Sequence, residues 1–168
     1  MAQMFFNEIE AARIGQDMER SGLEFYERMA ARFTDHGCRE MFLQLAADEK
    51  KHLATFEELQ QALRAKGGGE TGGEDEDQMG AYIAELLKTQ VFADTGGVAG
   101  LAAHVSRDTE AIAIGMKAER DSILFYREMI DFVDSKLARE AFASILKEER
   151  RHMTILGKRS QEIAGRGN

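Results

Sequence analysis

Two stretches of this chain are written twice. Glu10–Met29, EAARIGQDMERSGLEFYERM, aligns without gaps to Glu110–Met129, EAIAIGMKAERDSILFYREM, and Arg39–His52 aligns to Arg139–His152 at the same offset of one hundred residues. Repeated units of this kind bury their apolar faces against one another, so the chain is expected to pair two equivalent halves around one core. The absence of proline and tryptophan, with abundant Ala, Leu, Glu, Lys, Arg and Met, favours long helices over a sheet, because these side chains lose little rotamer freedom in a helix. Each half therefore reads as a helical hairpin, and the fold class is all-α.

The first hairpin is expected over about 7–65, with Asn7 as helix cap, a turn at TDHG, and a stop at Gly67, Gly68 and Gly69. The second is expected over about 108–164, with Asp108 as cap and a turn at VDS. Between them, about 66–107 form a linker and crossover. GGGETGGEDEDQ reads as a flexible acidic segment, and AYIAELLKTQVF as one short amphipathic helix. A connection of that length can run back along a bundle of roughly 40 Å, at ~1.5 Å per helical residue, leaving the second and third long helices parallel. At 168 residues and 43% hydrophobic content, 1–168 is expected to form a single domain with one sizeable core.

Four ionisable groups interrupt the apolar stripes of these helices. Stepping along the face from Glu19 by three, four or seven positions at a time meets Ala12, Gly15, Gly22, Leu23, Tyr26, Ala30 and Phe33, all uncharged. Glu119 sits in the equivalent stripe, while Glu49 and Glu149 each share a face with a histidine three residues on, His52 and His152. In each hairpin the two glutamates are equidistant from the turn, ~22 Å from it by helical rise. Pairing the hairpins would gather four carboxylates and two imidazoles in one layer. Such a layer is costly when empty, because unpaired buried carboxylates lose solvation and repel one another, and divalent cations remove that cost. Four glutamates and two histidines suit two ions sharing bridging carboxylates. The competing reading is that the repeat preserves only hairpin packing, with the acids reaching solvent.

The segments ERSGLEFY, ERDSILFY and QLAADEKKH resemble the rubrerythrin and ferritin-like di-iron carboxylate family, over both hairpins. The resemblance implies a ferritin-like four-helix bundle. It also implies Glu19, Glu49, His52, Glu119, Glu149 and His152 as the catalytic metal ligands, with Glu49 and Glu149 as bridges. The cofactor implied is two iron ions, with zinc or manganese as substitutes, and the activity a peroxidase that oxidises Fe(II) with hydrogen peroxide in response to oxidative stress. A ferroxidase using oxygen, or a metal-binding or sensing protein with little turnover, is the alternative. Two features depart from the family. No rubredoxin segment with paired cysteines follows, so electrons are expected from a separate rubredoxin-like donor or reductase. The additional third-helix glutamate used in the family's peroxidase cycle is replaced by Ser122.

Tyr26 and Tyr126, seven residues beyond Glu19 and Glu119, are either core aromatics or donors that orient a ligand carboxylate across the bundle. Asp48 and Glu148, four residues before each histidine, read as solvated flanks in preference to acids that orient the imidazoles, the glycines at 15, 22 and 115 as places of close helix approach in preference to room for a small oxidant, and His36, His104 and Cys38 carry no assigned role. The net charge of -8 leaves no basic stripe for nucleic acid. No apolar run is long enough for a bilayer, and a cytoplasmic location is expected. The apolar start MFF and the connector YIAELL offer surface for a homodimer.

Overall fold

The computed structural model describes residues 6–67, 74–94 and 96–166, of which the side chains at 74–77 are left undescribed. Six helices follow in order: α1 Glu8–Arg32, α2 His36–Ala65, α3 Glu74–Lys88, α4 Gly97–His104, α5 Asp108–Phe132 and α6 Lys136–Arg166. Asn7 caps α1 as expected, its side chain accepting from the Glu10 N–H at 3.0 Å. Asp35 does the same for α2 through the Cys38 N–H. Asp108 is the first residue of α5 rather than its cap, and Glu110 closes that end by accepting from the Ser106 and Arg107 N–H groups. Gly67, at φ 75°, takes the left-handed turn that ends α2.

The crossover holds more helix than its sequence suggests. Glu74–Gln78, read as flexible linker, belongs to α3, consistent with the favourable placing of acidic residues at the start of a helix. Residues 68–73, the rest of that linker, lie outside the described part. α4 was not expected, since GVAGLAAH has two glycines and little amphipathic pattern. It is held by packing: Val98 and Ala102 are buried, and Arg32 of α1 donates to the Ala102 carbonyl at 2.6 Å.

α1 pairs with α2 and α5 with α6, and the hairpins meet through α1 against α5 and α2 against α6. Two contacts give the directions. The Ser135 N–H, at the α5–α6 turn, donates to Glu8 at the start of α1, so α1 and α5 are antiparallel. Cys38 and Asp108 meet at the starts of α2 and α5, so those two are parallel, as the crossover requires. The result is the all-helical, ferritin-like arrangement of two hairpins.

Two apolar clusters form the core. One gathers Phe56, Phe125, Tyr126 and Phe142 with Phe6 and Ile83; the other gathers Phe25, Tyr26, Phe42, Leu45, Ile112 and Leu156. Phe6 and Ile83 belong to the segments on which a homodimer was expected. Both are spent on the chain's own core, Phe6 against Phe132 at 5.1 Å between ring centroids, while Tyr82 stays 45% exposed. Among the described residues no helix is long and apolar enough to cross a membrane.

Gly15 shows how tightly the helices approach. A Cβ there would lie 2.9 Å from the ring of Phe56, which is fully buried and backed by Tyr126 and Phe142. At Gly22 a Cβ would meet Glu49 no closer than 3.5 Å, an ordinary contact. Overpacking of about 1–3 kcal/mol at Gly15 outweighs the ~1 kcal/mol that alanine returns in helix propensity. Gly15→Ala is therefore expected to lose about 1 kcal/mol in urea unfolding of metal-free protein, where Gly22→Ala gains up to about 1 kcal/mol. Equal midpoints for the two would show that Phe56 can retreat.

A carboxylate and imidazole layer in the bundle core

Each long helix delivers its ionisable group to the core. Glu19, Glu49, Glu119 and Glu149 are each at most 3% exposed, and His52 and His152 are 6% and 0% exposed. The layer lies between the two apolar clusters, and all six side chains are almost wholly shielded from solvent. The competing expectation, that the acids are solvated, fails for all four glutamates.

His52 Nδ1 lies 3.2 Å from Glu19 Oε2, 3.4 Å from Glu49 Oε2 and 2.9 Å from Glu149 Oε1. His152 Nδ1 lies 3.4 Å from Glu49 Oε1, 3.5 Å from Glu119 Oε1 and 3.5 Å from Glu149 Oε2. Glu49 and Glu149 thus turn one oxygen toward each imidazole, whereas Glu19 and Glu119 serve one side each. Two groups result, Glu19, Glu49, His52 and Glu149, and Glu49, Glu119, Glu149 and His152, each offering four ligand atoms within 4.8 Å of one another. Each group could hold a metal ion.

The donors fit such ions better than they fit one another. Glu149 Oε1 and both ring nitrogens of His152 are buried without a hydrogen-bond partner, the 2.9 Å approach of His52 to Glu149 included. In the absence of a cation the layer is neutralised by protons. Burial first, then Glu49 and Glu149, hold Glu19 well above the ordinary carboxylate range; burial and Glu149 do the same for Glu119. Burial alone would lower His52, but the carboxylates of Glu149, Glu19 and Glu49 push it up to about 12, and His152 is raised in the same way by Glu119, Glu149 and Glu49. Burial would raise Glu149, yet its contacts with Glu119 and both histidines hold it far below the usual range.

The tyrosines tie the hairpins together at this level. The Tyr26 hydroxyl donates to Glu119 Oε1 and the Tyr126 hydroxyl to Glu19 Oε1, so each orients a glutamate of the other hairpin. Gly115 leaves room for this: a Cβ there would stand 3.2 Å from the Tyr26 ring. Tyr26→Phe is expected to weaken metal binding roughly tenfold by competition titration with a chromophoric chelator, leaving stoichiometry unchanged. Unaltered affinity would make Tyr26 a packing residue only.

For Asp48 the less favoured of the two sequence readings is the one the fold supports. Asp48 is 8% exposed, not a solvated flank, and its Oδ2 lies 3.6 Å from His152 Nε2, the nitrogen turned away from the other ligands. Burial opposes its ionisation, but Lys51 at 2.7 Å, with His152 and Arg151, keeps it charged. The equivalent Glu148 does lie outward, on Arg151 at 2.8 Å. The only signal in the sequence was the shorter acid at one of two equivalent positions. Cys38 is buried at the far end of the bundle against Arg159, away from the layer.

A cavity of about 210 Å³ reaches this layer from the α1–α5 face, touching Gly22, Tyr26, Glu49, Glu119 and Ser122 beneath crossover residues Leu87 and Gln90–Ala93. The sequence read Leu87 and Gln90–Phe92 as part of one amphipathic helix; α3 instead ends at Lys88, and only folding brings the residues beyond it over the site.

No protein-family model matches the chain, and no curated protein matches it. Among solved structures it is similar to the crystal structure of a two-domain protein containing DJ-1/ThiJ/PfpI-like and ferritin-like domains from Anabaena variabilis. Sequence identity is 15%, the TM-score 0.67, and the match covers 92% of this chain and 39% of that one. The likeness shows the fold alone. This chain spans about two fifths of that protein's length.

Proposed function

We propose that the chain is a rubrerythrin-like, non-haem di-iron oxidoreductase that reduces hydrogen peroxide, with Glu19, Glu49, His52, Glu119, Glu149 and His152 as ligands. The observation that carries this reading is the division of labour among the carboxylates: Glu49 and Glu149 face both imidazoles, as bridges between two ions would. Two ferrous ions would supply the two electrons that, with two protons, convert one hydrogen peroxide to two waters, and a separate electron-donor protein would restore them.

The chain's own residues set the conditions. Tyr26 and Tyr126 hold Glu119 and Glu19 by one oxygen each, leaving the other free to turn toward a ligand. Asp48 Oδ2, 3.6 Å from His152 Nε2 and buried without a hydrogen-bond partner, would accept from that nitrogen on a small closing movement and so keep Nδ1 unprotonated for coordination. The aromatic clusters on both sides exclude bulk water from the layer.

A ferroxidase using oxygen is the second reading, favoured by Ser122. It lies at the cavity beside Glu119 where the resemblance would place a further carboxylate, so that position offers no acid for that family's peroxide cycle. The test is anaerobic loading with two Fe(II) per chain, then rapid mixing with hydrogen peroxide or oxygen while absorbance of the oxidised centre is followed. Much faster oxidation by peroxide supports the peroxidase. Faster oxidation by oxygen assigns iron oxidation instead, and failure to bind iron rejects both.

A further inference from the structure

The cavity above the carboxylate layer is larger than an inorganic oxidant requires. At about 210 Å³ it equals roughly seven waters' share of liquid volume, and it exceeds the ~150 Å³ apolar cavity that suffices to hold benzene. It also falls short of the roughly 300–1,000 Å³ pockets that take drug-sized ligands. The size points to a molecule of about six to nine non-hydrogen atoms.

The walls define its chemistry. Ile14 and Met18 of α1 face Leu87, Val91 and Phe92 of the crossover, an apolar wall on either side. The charged groups at the cavity are already committed. Arg13 contacts Glu10 at 2.5 Å and Asp17 at 2.6 Å, and Asp121 accepts from the Val91 N–H at 2.8 Å. Outside the carboxylate layer itself, these pairings leave no uncompensated charge on the walls. The polar features that remain are small: the Ser122 hydroxyl and the Gln90 amide, the latter donating to Met18 Sδ at 3.4 Å.

The roof is built rather than incidental. The Val91–Asp121 hydrogen bond and the packing of Phe92 on Phe25, with centroids 5.4 Å apart, hold the crossover over the cavity between α1 and α5. The floor includes Glu49 and Glu119, one from each side of the layer.

We infer that this cavity binds a neutral, mostly apolar organic molecule of about six to nine non-hydrogen atoms, carrying at most one hydroxyl, directly beside the carboxylate layer. Binding depends on the cavity alone; the role of that molecule as a co-substrate at a metal centre rests on the function proposed above. Ser122, in place of a longer acid, is then the residue that leaves the space open.

The probe is 4-fluorobenzyl alcohol, followed by fluorine NMR in zinc-loaded protein whose metal content is measured in the same sample. Saturable binding with a Kd of about 1 mM or tighter is expected, with 4-fluorobenzoate binding at least about tenfold more weakly because its charge has no partner. Ser122→Leu and Ala118→Leu, which fill the cavity, should each weaken binding at least about tenfold at unchanged metal content. Should either variant fail to fold, Overhauser contacts between the probe and the Met18 methyl in the unaltered protein decide the location. No saturation, unaltered binding in the folded variants, or contacts elsewhere overturns the inference. Two bound metals without probe binding reject the cavity's role and leave the metal centre standing. Probe binding without metal rejects the metal centre instead.

Discussion

Glu149→Gln is expected to abolish tight binding of both metal equivalents, whereas Glu19→Gln removes only one. Glu149 offers Oε1 on the His52 side and Oε2 on the His152 side, so its loss strips a ligand from both groups at once. Glu19 belongs to the His52 group alone, and its loss leaves Glu49, Glu119, Glu149 and His152 together. The amide keeps the volume of the carboxylate, which matters because alanine would also open a cavity in a close-packed layer. Neutralising Glu149 withdraws the partner charge of two buried imidazoles, so about 3 kcal/mol of metal-free stability should go with it. The measurement is metal content after gel filtration, with urea unfolding of the same samples. A Glu149→Gln protein that keeps one equivalent as firmly as Glu19→Gln would mean that the carboxylate is not shared.

Raising the pH from about 6.5 to 9 should destabilise the metal-free protein and not the metal-loaded one. A histidine whose folded pKa lies above its unfolded value of ~6.5 contributes stability that is fully present below that value and lost as pH climbs toward the folded one. His52, raised to about 12, and His152, raised likewise, lose their contribution over this window. Glu19 and Glu119, raised chiefly by burial, act in the same direction, because they favour the folded state only while protonated. Glu149 is held low; its contribution is lost only as pH falls below the unfolded range near ~4.5, so it is constant here. A combined loss of about 2 kcal/mol would lower Tm by roughly 4–8 °C for a chain of this size. Metal binding displaces these protons, so its stabilisation grows with pH and offsets the loss. Thermal melts of chelator-treated and reloaded protein at three pH values test this. A metal-free Tm that rises with pH would show that the imidazoles are neutral in the folded state.

The two hairpins and the six ionisable positions were legible because helical period and repeat symmetry are local properties. Glu19 and Glu119 stand in apolar stripes, and equal distance from a turn sets height in any antiparallel pair. The limits of α5 and α6 came within a few residues, Asp108 being one place from its expected role. α4 was not legible, since its helicity comes from Val98 and Ala102 packing on a bundle that the segment itself does not encode. Asp48 was left between two readings for a similar reason: nothing within α2 distinguishes an aspartate facing solvent from one facing His152 of α6.

The amino-acid sequence by itself determined an all-helical duplication with one carboxylate in the apolar stripe of each long helix and a histidine beside it on two of them. Those features follow from composition, spacing and the 3.6-residue turn. Tertiary structure decided which oxygens of Glu49 and Glu149 face which imidazole, which of the two readings held for each tyrosine, and that the crossover roofs a largely apolar cavity over the layer. The two hairpins are nearly equivalent as sequences. Which oxygen meets which imidazole is set by how their helices cross, and the rise of a single helix carries no record of that.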